Sequence, residues 1–199
     1  MKRICVFCGS SPGSDPEYVE MAKKLGMELA QNNIELVYGG GNVGMMGVLA
    51  NSVVENKGDV IGVITNKLLK MEVAFTELSD LRVVDTMHER KAIMADLADG
   101  FIAMPGGFGT MDEMFEVLTW SQLNIHQKPC GFLNVNGYYD KLVDFIDHMI
   151  SENFVNPDCR GILQIASNPA QLLEKLKNYE HIAPDKGEWA KELKAVSIN

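Results

Sequence analysis

Short apolar runs alternate with segments whose apolar residues recur every three or four positions, and this alternation sets the expected architecture. Ile4 to Cys8, Ile34 to Tyr38, Val60 to Thr65, Leu81 to Val84, Phe101 to Met104, Cys130 to Val135 and Ile162 to Ala166 read as strands. Runs that are apolar on successive residues suit strands covered on both faces. Helical patterns lie between them: Asp15 to Gln31, Gly44 to about Asn56, Met87 to Ala98, Met111 to about Asn124, Tyr139 to Glu152 and Pro169 to Lys177. Asp15 fits an N-cap, with Pro16 in the first turn. The stretch from Asn66 to Asp80 is weakly patterned. The βα alternation predicts an α/β fold, a single-domain doubly wound sheet, mainly parallel, with helices on both faces. That domain is expected over residues 1–180. A mostly polar tail, broken by Trp189, Leu193 and Val196, follows over residues 181–199.

Ligands of such sheets sit beyond the C-terminal ends of the strands, and two glycine-rich loops fall there. Pro105-Gly106-Gly107-Phe108-Gly109-Thr110 follows an apolar run and leads into a helix. Its main-chain N–H groups and the positive end of the helix dipole suit a phosphate. The second loop, Gly39-x-Gly41-x-x-Gly44, matches the dinucleotide fingerprint but follows the second strand. An NAD site also wants an acidic residue at the end of the next strand, where Ile64 and Thr65 stand. A general phosphate or ribose loop therefore fits better than a redox dinucleotide site. The plain alternative is that these glycines serve close helix–strand packing.

Arg90 falls on the stripe marked by Met87, Ile93, Met94, Leu97 and Ala98. A cation there opposes both the apolar face and the positive helix start, so an anion must compensate. Either a structural carboxylate such as Glu89 or Asp85, or a bound anion, meets that need. Lys91 adds to the positive field. Thr110-Met111-Asp112-Glu113 has the spacing of a capping box, in which Glu113 would reach back to the Thr110 N–H. Glu116 lies one turn on, sharing a face with Glu113. Paired acids beside a phosphate loop also suit glycosidic cleavage, which needs negative charge near an oxocarbenium-like sugar. Spacing leaves cap and base both open.

Composition narrows the class. A net charge of -9 argues against non-specific nucleic-acid binding. No apolar run is long enough to span a bilayer, and the start is too short for a signal peptide, so a cytoplasmic protein is expected. Cys5 and Cys8, three apart on a strand, point to opposite faces and read as buried thiols. Cys130 and Cys159 are isolated, and the four histidines show no metal-ligand spacing, so no metal is expected. There is no G-x-x-x-x-G-K-[ST] motif for a P-loop ATPase.

Taken together, Pro105-Gly106-Gly107-Phe108-Gly109-Thr110-Met111-Asp112-Glu113, Phe7-Cys8-Gly9-Ser10-Ser11, Tyr38-Gly39-Gly40-Gly41, Met87-His88-Glu89-Arg90-Lys91 and Thr119-Trp120-Ser121-Gln122-Leu123 resemble the Lonely Guy (LOG) cytokinin-activating family. The likeness spans about Lys2 to Leu176. It implies a Rossmann-like homodimer that needs no cofactor and hydrolyses nucleoside 5′-monophosphates, AMP or its N6-modified forms, to free base and ribose 5-phosphate. It also implies catalysis by Arg90 and Glu113. Substrate contacts implied are Lys91, Gly106, Gly107, Phe108, Gly109, Thr110, Met111, Asp112, Thr119 and, in a context lacking the usual Pro, Glu72. Ser10, Gly40 and Gly41 would extend the phosphate or ribose loop. The family's older label, lysine decarboxylase, finds no Schiff-base lysine site here. A rival from another class is a carrier that binds a phosphorylated ligand, such as molybdenum cofactor, without turnover.

Overall fold

The computed structural model describes residues 1–71, 74–183, 187, 189 and 191. Seven strands form one sheet: β1 Arg3–Phe7, β2 Glu35–Tyr38, β3 Val60–Thr65, β4 Asp80–Val84, β5 Gly100–Ala103, β6 Cys130–Leu133 and β7 Leu163–Ala166. All neighbours pair in parallel, in the order β4-β3-β2-β1-β5-β6-β7. The order reverses at the β1–β5 pair, so the crevice beyond their C-terminal ends is the switch point where such sheets take ligands. The predicted doubly wound α/β sheet is what the chain forms.

Helices cover both faces. On one side α1 Pro16–Gln31, α2 Gly44–Glu55 and α7 Pro169–Lys177 bury Leu25, Leu29, Leu49, Val53 and Leu172 against Ile4, Val6 and Cys8. On the other, α4 Met87–Leu97, α5 Phe108–Gln122 and α6 Asp140–Ser151 bury Met94, Met114, Val117 and Ile146 against Cys5 and Phe7. Successive β1 residues thus enter different cores, as the strand period requires. This separates Cys5 from Cys8, and the C-x-x-C is neither a metal clamp nor a disulfide.

Several boundaries move for identifiable reasons. The weakly patterned stretch holds a short helix, α3 Asn66–Met71, and then Ala74, which bridges to Gly41. β6 stops at Leu133, because Asn134 turns the chain into a 3-10 turn at Val135–Gly137. Ile162 ends a second 3-10 segment, Pro157–Ile162, rather than starting β7. Just past Glu180, His181 sits against the body, its ring 2.8 Å from Asn124 Oδ1. Among the described residues, no helix is long and apolar enough to cross a membrane.

Candidate active site

The β5 exit turn governs the site. Helix α5 begins at Phe108, with Gly107 as its N-cap, not at Met111. Thr110 therefore lies inside the first turn and is buried, and the capping-box reading of Thr110 and Glu113 does not hold. The capping box is on α4 instead: Glu89 N donates to Thr86 Oγ1 at 3.1 Å and Thr86 N to Glu89 Oε2 at 3.1 Å. Glu89 is thereby committed to the helix start, and Asp85 accepts from Asn66 Nδ2 at 2.7 Å. Neither partners Arg90.

What meets Arg90 is Glu113. Arg90 Nη1 donates to Glu113 Oε1 at 2.7 Å, and Nε donates to the Val63 carbonyl of β3 at 2.8 Å. The two side chains are 8% and 13% exposed, so the pair sits in low-dielectric surroundings at the C-terminal ends of the inner strands. Burial pushes the Glu113 carboxyl above its usual range, and the Arg90 charge only partly offsets this. Beside it, Cys8 at the end of β1 is held as a thiol by burial and then by the Glu113 charge. The α4 cap orients the stripe so that Arg90 joins Met94 and Ala95 inside, while Met87 stands 42% exposed and is no part of it.

One turn toward the helix start, the α5 N-terminus is open. The first main-chain bond closing the helix runs from Met111 N to Gly107 O, leaving the preceding N–H groups without intrahelical acceptors. Gly107 and Gly109 have nothing within 4 Å of where a Cβ would stand, so no protein contact requires glycine at either. Phe108 between them is 97% exposed. Gly106, by contrast, is filled in by Thr110 and Gly9, and its carbonyl accepts from Tyr138 Oη at 2.7 Å. Gly9 N donates to Pro105 O at 3.1 Å and ties the β1 loop to the β5 loop. A cleft of about 310 Å³ opens at this junction, walled by Gly9 to Gly13, Tyr18, Met45, Pro105 to Gly107 and Tyr138. Its walls do not include Arg90 or Glu113. Gly106 and Gly107 connect it to the helix start above the ion pair.

The remaining candidates divide. Ser10 lines the cleft. Lys91 bridges Asp112 at 3.2 Å and Glu116 at 3.1 Å, a lock between α4 and α5. Burial works against the Lys91 charge, but the bonds to Glu116 and Asp112 outweigh it and its pKa rises. Such a lysine is the opposite of the depressed amine that a Schiff base needs. Met111 packs against the core. Thr119 lies away from the pair, its hydroxyl donating to Phe115 O at 2.7 Å, in an apolar groove of about 210 Å³ with Phe115, Leu118, Ile146 and Met149. Gly40 and Gly41 are buried and engaged with the chain itself, since Gly40 O accepts from Phe75 N at 3.1 Å and Gly41 bridges to Ala74. Gly40, at φ 77°, packs closely against Ile64 and Leu81. Nor is the α2 start available, because Met45 N donates to Gly9 O at 3.1 Å and the Ser10 carbonyl fills the space beside Gly44, at φ 56°. Glu72 lies outside the described residues. Tyr18, Tyr138 and the Val63 carbonyl were not foreseen, and nothing in their local sequence marks them.

A family described as possible lysine decarboxylase matches residues 46–176. An Arabidopsis thaliana protein, cytokinin riboside 5′-monophosphate phosphoribohydrolase LOG7, is 49% identical over 179 residues, covering 90% of this chain and 82% of its own. A probable enzyme of the same name from Oryza sativa subsp. japonica, LOGL6, is 49% identical over 89% of this chain and 71% of its own. Among solved structures, the molybdenum cofactor binding protein of Rippkaea orientalis superposes with a TM-score of 0.66 at 24% identity, over 89% of this chain and 96% of that one. At that identity the likeness concerns the fold. The sequence relatives decide the family: this chain belongs to the Lonely Guy (LOG) family.

Proposed function

We propose that this protein hydrolyses the N-glycosidic bond of adenosine 5′-monophosphates, N6-modified ones included, releasing the free base and ribose 5-phosphate. The observation that carries this reading is a buried carboxylate–guanidinium pair one helical turn from an open, glycine-flanked helix start. The curated relatives act in name on cytokinin riboside 5′-monophosphates, and the site has the parts that this chemistry needs. The open N–H groups of Phe108 and Gly109, with the helix dipole, take the 5′-phosphate, and Ser10 and the cleft take the ribose side of it. Holding the phosphate fixes C1′ relative to the pair.

As the C1′–N bond breaks, its electron pair leaves with the base and positive charge builds on the sugar. The Glu113 carboxylate stabilises that charge and accepts a proton from the water that adds to C1′. The departing base takes up a proton from solvent and Glu113 is later deprotonated by solvent, so the net change is the addition of one water. Burial makes Glu113 a stronger base than an exposed glutamate. Arg90 stays protonated and acts electrostatically, not as an acid. Lys91 fixes the spacing of α4 and α5 and so the pair itself. The molybdenum-carrier reading needs only the open helix start, and gives the buried pair no task. Free buried thiols at Cys5, Cys8 and Cys130 fit a reducing compartment such as the cytoplasm.

A second copy of the chain is the natural cover for the Thr119 groove. Leu123, Phe145 and Phe154, chain neighbours of its lining residues, are exposed large apolar side chains, which a homodimer would bury.

Incubation with AMP and with isopentenyladenosine 5′-monophosphate should release free base, and Arg90→Ala or Glu113→Gln should slow release by about a hundredfold or more. Wild-type rates in either variant would overturn the roles assigned. Because Glu113 must be ionised, kcat/KM should fall on the acid side with an apparent pKa above the ordinary glutamate value of about 4.3. That limb should be absent from the residual activity of Glu113→Gln. Gly109→Ala should raise the thermal midpoint, since alanine favours the helix, yet raise KM for AMP by about tenfold, the cost of one disturbed phosphate hydrogen bond. Sedimentation equilibrium should give a dimer, with Phe145→Asp shifting it to monomer.

A further inference from the structure

Arg90 is held on a third side that no hydrogen bond accounts for. Its Nη2 occupies the space where a side chain on residue 39 would begin, and Cζ lies 3.5 Å from the same point. Met46 Sδ, 3.3 Å from it, closes the space from the α2 side. Gly40 and Gly44 have positive φ and need glycine for their backbone, but Gly39 is not among the positive-φ glycines. Its backbone would accept any residue. What forbids a side chain there is the guanidinium.

We propose that Gly39 is a positioning residue for the hydrolysis: by having no side chain it forms the socket that seats Nη2 and fixes the guanidinium plane. With Nε tied to Val63 O and Nη1 tied to Glu113, seating Nη2 leaves the group no alternative orientation. A single added methyl would expel the guanidinium and displace its charge from Glu113 and the reacting sugar. The first glycine of the dinucleotide-like fingerprint thus serves a catalytic side chain, not a phosphate. This inference rests on the catalytic role given to Arg90 above.

The test is a double-mutant cycle with AMP as substrate. Gly39→Ala should lower kcat by about a hundredfold, the scale of a 1 Å misplacement, with KM little changed because the α5 start is untouched. In an Arg90→Ala background the same substitution should cost nothing further, in rate or in thermal midpoint, because the methyl then enters space the guanidinium has left. Should Gly39→Ala alone fail to fold, Gly39→Ala/Arg90→Ala should still fold as well as Arg90→Ala. The socket is overturned if Gly39→Ala has the wild-type kcat, or if its losses simply add to those of Arg90→Ala. Full activity in Arg90→Ala would instead sink the catalytic reading on which the socket depends.

Discussion

A guanidinium and a carboxylate, 2.7 Å apart and largely removed from water, constrain the arrangement of everything near them. Desolvating two charges costs several kcal/mol each, and their attraction at best roughly repays it. Stability alone therefore gives no reason to keep such a pair, whereas apolar residues of similar volume would serve packing as well. Yet three elements are shaped around it. The α4 capping box fixes which residues of that helix face inward. A β3 carbonyl is turned to Arg90 Nε. The β5 turn starts α5 early enough for Glu113 to reach Arg90. A cost carried by so many parts of the fold points to chemistry.

Proton linkage sharpens the point. Burial raises the Glu113 carboxyl above its unfolded value, so the folded protein binds that proton more tightly than the unfolded chain does. The stability tied to this group is fully present below the ordinary glutamate pKa. It is lost as pH rises through the raised folded value. The role proposed for Glu113 needs the opposite state, the ionised carboxylate. On that proposal the site is set against folding in the pH range where it would work, as expected where function outweighs local stability.

Much of the fold was legible because period and punctuation are local properties. Seven apolar runs alternating with helical patterns leave little choice but a parallel sheet covered on both faces, and the opposite facing of Cys5 and Cys8 follows from strand geometry alone. The site was only half legible. Thr110-x-x-Glu113 and Thr86-x-x-Glu89 have the same spacing, but only the second caps a helix. The exit of β5 sets the start of α5, and that turn is tertiary. The two glycine-rich helix starts likewise read alike. One is plugged by the Gly9 and Ser10 carbonyls, whereas the other is open, and what fills a loop is written elsewhere in the chain. Tyr138, which reaches Gly106 from 32 positions away, carries no local mark at all.

The likeness to molybdenum cofactor proteins is one of fold. A sheet switch point with an exposed helix start accommodates a phosphorylated ligand by geometry alone, and that geometry is a property of the fold. Binding a phosphate does not break a glycosidic bond. Cleavage also needs charge placed where the sugar becomes positive, in a setting dry enough for that charge to act at short range. In this chain the open amides stand at the start of α5, while the Arg90–Glu113 pair sits one turn deeper. The amides and Glu113 lie one turn apart on a single helix, so a fold that offers the first need not supply the second.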